Sequence, residues 1–140
     1  YMKKNKDQIL SACNAICKNT LMETLEIEFV DVTDDVLTAR MPVNSRVHQP
    51  DGVLHGGASV ALAESLGSAA AIVFLEKKDI MIRGLEISAN HIKSIRDGFV
   101  YAKAKALHKG RTTQLWQIRI ENEEEELISL VKLTTITFYK

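Results

Sequence analysis

Apolar residues recur along this chain in two different rhythms. Over residues 3–18 they fall at helical spacing, with Ile9, Leu10, Cys13, Ile16 and Cys17 on one stripe, which predicts a short amphipathic helix. Thr20 followed by Glu23 has the spacing of a capping box and predicts a further helical turn. Residues 25–32 and 36–41 read as strands joined by a tight turn at Asp34-Asp35, and residues 42–54, which hold both prolines, read as a loop. Residues 57–75 break the pattern: they are rich in alanine and apolar nearly all round. They predict a helix roughly 28 Å long that has to be buried on almost every side.

The remainder alternates with period two, as strands with one buried face do. In 80–93, Leu85, Ile87 and Ala89 alternate with Glu86, Ser88 and Asn90; in 99–107, Val100, Ala102, Ala104 and Ala106 alternate with Tyr101, Lys103 and Lys105. In 113–121, Trp116, Ile118 and Ile120 alternate with Leu115, Gln117 and Arg119, and 127–138 forms the last such run. The alanine row suggests a sheet face that lets a helix come close. Hairpins are expected at Arg96-Asp97-Gly98, at Lys109-Gly110 and across the acidic run 123–126. The order is helix, two strands, one long helix, four strands. It predicts an α+β fold, an antiparallel sheet wrapped around one central helix, in one domain over residues 1–140. Open sheet edges and an all-round apolar helix predict a homo-oligomer.

Composition narrows the partners. With 46% hydrophobic and 26% charged residues the chain reads as a soluble globular protein. Its formal net charge is zero, so no global field favours nucleic acid or a membrane surface. The stretch 52–75 carries no charge except Glu64 and is nearly long enough to span a bilayer. A central carboxylate and the amphipathic strands that follow favour a helix buried in protein instead. Cys13 and Cys17 read as small apolar residues of one helix face, and with no disulfide framework or signal peptide pattern the expected compartment is a reducing cytoplasm.

Candidate chemistry concentrates around that helix. His55-Gly56-Gly57 precedes it, and the unpaired amides of a first helical turn, backed by the helix dipole, suit a developing oxyanion. Glu64 lies two turns further in, with Ser68 at i+4 on the same face. A carboxylate desolvated by apolar neighbours can act as general base toward water, or attack an acyl carbon itself. A lone glutamate could also simply reach solvent, and His48, Gln49 and His55 could be inert loop residues. No His pair has metal spacing and no Ser or Cys nucleophile has an evident base, so neither metal nor cofactor is expected. His91-Ile92-Lys93-Ser94 and His108-Lys109-Gly110-Arg111-Thr112 combine cations with hydroxyls at strand ends, which suits a phosphorylated ligand.

The run from His48-Gln49-Pro50 through Leu54-His55-Gly56-Gly57-Ala58 to Ala63-Glu64-Ser65-Leu66-Gly67-Ser68 resembles the bacterial hotdog-fold acyl-CoA thioesterases. The closest group includes 1,4-dihydroxy-2-naphthoyl-CoA thioesterase and the enterobactin proofreading thioesterase. The likeness continues through Gly84-Leu85-Glu86-Ile87, Ala89-Asn90-His91, Leu107-His108, Gly110, Trp116-Gln117-Ile118 and Leu133-Thr134-Thr135. It implies a hotdog dimer, usually paired into a tetramer, with active sites at the dimer interface. Glu64 then matches the family's catalytic carboxylate, and Gly56 the residue whose amide polarises the thioester carbonyl. Gln49 and His55 match side chains around that carbonyl, and Ser68 the hydroxyl near the glutamate. Gly84, His91 to Ser94 and His108 to Thr113 match positions lining the coenzyme A path. The implied substrate is an acyl-CoA, with an acyl carrier protein as the alternative thiol carrier. By family the acyl group is the menaquinone precursor 1,4-dihydroxy-2-naphthoyl. A hotdog dehydratase or hydratase and a non-catalytic acyl-CoA binder are the competing readings.

Overall fold

Asn5 starts the first element of the computed structural model, which describes residues 5–140. Its side chain accepts from Gln8 N at 2.8 Å, Gln8 answers at Asn5 N, and this reciprocal cap opens α1 (Lys6–Ala15). The expected start of this helix at residue 3 lies outside the described residues. The helix ends earlier than its pattern predicts. In its last turn Asn14 bonds the backbone of Phe29 twice, donating to its carbonyl at 3.0 Å and accepting from its amide at 2.8 Å. Cys13 and Cys17 are buried as expected and form no disulfide, whereas Ile16 points to solvent. The Thr20 hydroxyl accepts from Met22 N and opens α2 (Leu21–Thr24), but Glu23 reaches back to Asn19 N instead of closing a capping box on Thr20.

Strands β1 (Glu28–Val32) and β2 (Val36–Pro42) form the hairpin expected at Asp34-Asp35, closed by Thr33 N donating to Val36 O at 2.9 Å. A 3-10 turn (Ser45–Val47) leads into α3 (Gly56–Leu75), and β3 (Ile80–His91), β4 (Phe99–Lys109), β5 (Thr113–Glu121) and β6 (Leu127–Tyr139) follow. All six strands form one sheet in the order β1-β2-β4-β5-β6-β3, with every pairing antiparallel.

One connection differs from expectation. Arg96-Asp97-Gly98 is not a hairpin, because β3 pairs with β6 at the far edge of the sheet and β4 lies between β2 and β5. The segment between them crosses the end of the sheet, held by Leu54 N to Ile95 O and Val43 N to Gly98 O, each 2.8 Å. Alternation dictates which face a side chain takes, not which strand is its neighbour. Leu85 also departs from its expected buried face. The register steps from Gly84 opposite Thr135 to Glu86 opposite Thr134, so Leu85 is the extra residue of a bulge and is 57% exposed.

Helix α3 lies across the sheet. Ala102 and Ala104 are fully buried beneath it, as the alanine row predicts, together with Leu62, Ala63, Leu66, Trp116, Ile118, Val131 and Leu133. The helix is long and apolar enough to cross a bilayer by composition, but eight of its residues are packed inside the protein. It is not covered all round: Glu64 and Ile72 remain exposed on one side.

Candidate active site

The loop before α3 is folded back on itself and fixes the polar groups near the helix start. Gln49 N donates to Val53 O at 2.8 Å, His55 N donates to Val47 O at 2.8 Å, and His48 Nε2 donates to Arg96 O at 2.7 Å. The Gln49 side chain accepts from Asp51 N at 2.6 Å. That bond can only be taken by Oε1, so the Nε2 amine is left as the outward donor.

His55 is the N-cap of α3, and its Nδ1 accepts from Gly57 N at 2.8 Å. An accepting Nδ1 puts the ring proton of the neutral imidazole on Nε2. The amides of Ala58 and Ser59 turn back to His55 O, at 3.0 and 3.2 Å. The amide of Gly56 is then the one in this first turn with no partner among the described residues. A cleft of about 220 Å³ opens beside it, lined by Gln49, Gly56, Ser59, His91, Ile92, Lys93, Ser94 and Ser129, among others. The His91 ring lies against Gly56. A β-carbon at position 56 would come within 2.6 Å of His91 Nε2, and Nδ1 of the same ring is 2.7 Å from the buried Ser129 hydroxyl. Lys93 is ion-paired with Glu126 of the β5–β6 turn, so its charge is partly spent within the chain.

Glu64 and Ser68 are not in this cleft. Glu64 projects from the uncovered side of α3 toward β3, where a β-carbon on Gly84 would meet its Oε2 at 2.5 Å. Among the described residues its carboxylate has no hydrogen-bond or ion-pair partner. Against expectation it is exposed, since β3 is an edge strand and nothing among the described residues lies over it. Ser68 follows one turn later, half-buried.

The turn from His108 to Thr113 forms a third group at the β4–β5 end. His108 and Lys109 end β4, and Gly110 N donates to Thr113 O at 2.9 Å to close the turn around Arg111 and Thr112. A buried polar chain supports it from below. Trp116 Nε1 donates to Thr135 Oγ1, which donates to Gln114 Oε1, and Gln114 Nε2 donates to Thr137 Oγ1 and Gly110 O. The sequence-predicted residues thus form three separate groups in one protomer. Ser59, Ser129 and Gln114 join them without having been singled out. Only Gln114 carried a local signal, as a polar residue in phase with Trp116, Ile118 and Ile120.

A family model for the thioesterase superfamily matches residues 51–129, which include the α3 start, Glu64, Gly84 and the 108–113 turn. The chain belongs to the thioesterase superfamily. It is 47% identical over 126 residues to the 1,4-dihydroxy-2-naphthoyl-CoA hydrolase of Escherichia coli, covering 90% of this chain and 92% of that one. It is 44% identical over 126 residues to a proofreading thioesterase of Cronobacter turicensis, with 90% and 91% covered. The crystal structure of a thioesterase from Haemophilus influenzae superposes with a TM-score of 0.90 at 42% identity, covering 93% of this chain and 90% of that one. The six-stranded sheet on one long helix is the hotdog fold of this superfamily, and the expectation of a thioesterase stands.

Proposed function

We propose that this thioesterase hydrolyses an acyl-CoA at active sites built from two copies of the chain, with Glu64 of one copy facing Gln49, His55 and Gly56 of the other. The observation that carries the reading is the separation of two unengaged groups on one helix. The Gly56 amide and Glu64 are eight residues apart, about 12 Å along the axis. A carbonyl oxygen bonded to the amide lies about 3 Å from it. Attack on the attached carbon needs Glu64, or a water it holds, at about 3–3.5 Å. The backward tilt of the glutamate side chain recovers only part of the gap, so one chain cannot supply both groups. The open edge of the twelve-residue β3 and the bulged Leu85 lie beside Glu64, the exposed Ile72 stands further along the helix, and together they suit cover by a second copy.

In this reading the carbonyl carbon is attacked by a water whose proton passes to Glu64, or by the carboxylate itself to give a mixed anhydride that water then opens. The electron pair of the C=O bond moves to oxygen, held by the Gly56 N–H and by Gln49 Nε2, and returns as the C–S bond breaks. The thiolate of coenzyme A leaves and is protonated. Ser68 orients the carboxylate, and His55 contributes its Nε2–H. Gly84, His91, Ile92, Lys93 and Ser94 line the pantetheine path, and the His108–Thr113 turn takes the nucleotide phosphates. The acyl group is aromatic, with 1,4-dihydroxy-2-naphthoyl the first candidate from the name of the E. coli relative. The enzyme works in a reducing cytoplasm.

The test is thiol release from aryl-CoA, alkyl-CoA and an aryl-loaded acyl carrier protein by the wild type and Glu64→Gln. Loss of a positioned base or nucleophile lowers kcat by about 10²–10⁴-fold. Full activity of a folded Glu64→Gln protein would overturn the assignment. Faster turnover of the carrier-protein substrate would replace coenzyme A by that carrier.

A further inference from the structure

Three consecutive carbonyls of the β4–β5 turn are all engaged. Gly110 O accepts from Gln114 Nε2 at 3.0 Å, Arg111 O from the Tyr139 hydroxyl at 2.6 Å, and Thr112 O from Thr137 N at 2.7 Å. Gln114 is buried on the helix side of the sheet. Tyr139 follows the buried Leu133, Thr135 and Thr137 at two-residue spacing, so it stands on that same side. The carbonyls of Gly110 and Arg111 are therefore drawn toward the helix side. In a trans peptide the N–H points opposite to the C=O. The amides of Arg111 and Thr112 consequently face the other way, side by side, and neither has a partner among the described residues. Two successive outward amides form the concave donor pair that anions occupy.

Tyr139 also holds two cations on the helix side of the turn. The Arg111 guanidinium lies over the Tyr139 ring, 5.0 Å from its centroid. Lys77 Nζ donates to the Tyr139 hydroxyl at 2.9 Å. Its 5.3 Å to the ring centroid reflects a place beyond the hydroxyl, so this contact is a hydrogen bond and not a stack. One phenol therefore accepts from Lys77, donates to the turn and carries Arg111 on its face. Arg111 and Lys77 thus meet at Tyr139 on the helix side, while the two free amides face the opposite side of the turn.

We propose that Tyr139 is the positioning residue of an anion-binding turn at Arg111–Thr112, whose outward amides take a phosphate of the substrate's nucleotide. This rests on the reading of the turn as part of the coenzyme A path. Tyr139 touches no reacting atom. It acts by holding the Arg111 carbonyl inward and its guanidinium in place, so its effect belongs to KM and to substrates that carry the nucleotide.

The experiment compares one acyl group on coenzyme A and on pantetheine, which lacks the nucleotide phosphates, for wild type, Arg111→Ala, Tyr139→Ala and Tyr139→Phe. Tyr139→Ala is expected to raise KM for the acyl-CoA about tenfold, with kcat and the pantetheine KM within about twofold of wild type. Tyr139→Phe keeps the ring beneath Arg111 but loses both hydroxyl bonds, so its KM for acyl-CoA falls between the two. If Arg111→Ala separates the two thiols and neither tyrosine variant does, the positioning role is overturned while the path stands. If Arg111→Ala fails to separate them, the turn does not bind the nucleotide, and the proposal falls with that reading. Equal losses on both thiols in Tyr139→Ala would mark a merely structural tyrosine and also overturn it.

Discussion

The Glu64 carboxylate occupies the space above Gly84 that a side chain at position 84 would fill, with Oε2 at 2.5 Å from where the β-carbon would stand. Gly84 has no left-handed φ, so its backbone does not require glycine. The missing side chain makes a notch in β3 that accepts the glutamate. Gly84→Ala is expected to fold, with stability within about 1 kcal/mol of wild type, because alanine is tolerated in a strand. The methyl group has to push Glu64 aside, and a displacement near 1 Å at a reacting group costs up to about a hundredfold. Steady-state thiol release should show kcat reduced by about 10–100-fold with an unchanged melting temperature. Wild-type kcat in this variant would separate Glu64 from the chemistry or show that the carboxylate has slack.

Much of this fold is legible in the chain, for identifiable reasons. The alanine-rich apolar run could only be a helix covered by a sheet, and Ala102 and Ala104 marked where that helix would lie. The His55-Gly56-Gly57 start was legible because a capping side chain and small residues must be adjacent in sequence. What was not legible depends on distant partners. Period two could not reveal that β3 pairs with β6, and a bulge at Leu85 leaves no mark in an otherwise regular alternation. Tyr139 meets Arg111 across 28 residues and Lys77 across 62, so no local pattern announces it. The exposure of Glu64 had a different origin: an apolar run nearly all round does not say which side of the helix the sheet leaves uncovered.

Glu121 provides a pH test that does not depend on the active site. Burial pushes its carboxyl up, but the bonds from Lys103 at 2.8 Å and Arg119 at 3.1 Å outweigh this and hold it below the usual glutamate range. A carboxyl depressed in the folded state stabilises the fold fully above its unfolded value, about 4.3. That contribution is lost as pH falls through the lower, folded value. Lys103 and Arg119 are each more than a third exposed, so solvent screening limits it to roughly 1 kcal/mol. Glu121→Gln should therefore melt a few degrees below wild type at pH 7, with the gap closing as the pH drops below about 4. Thermal melts at a series of pH values measure this, and a gap that persists undiminished at pH 3 would mean that shape and not charge accounts for it.

The proposed two-copy site makes a sharper prediction than any single substitution. Gln49→Ala removes a donor from one half of the site and Glu64→Ala removes the carboxylate from the other, and each pure variant has two damaged sites per dimer. In a mixed dimer both lesions fall in the same site, because Gln49 of one copy faces Glu64 of its partner. The second site is then intact. Unfolding and refolding an equimolar mixture gives half mixed dimers by chance, each with one good site of two, so about a quarter of wild-type activity should return. Sites contained within single chains would give no recovery, since every chain carries a lesion. The readout is a gain of activity, which misfolding cannot imitate, and it depends on α3 being too long for Gly56 and Glu64 of one chain to reach the same carbonyl.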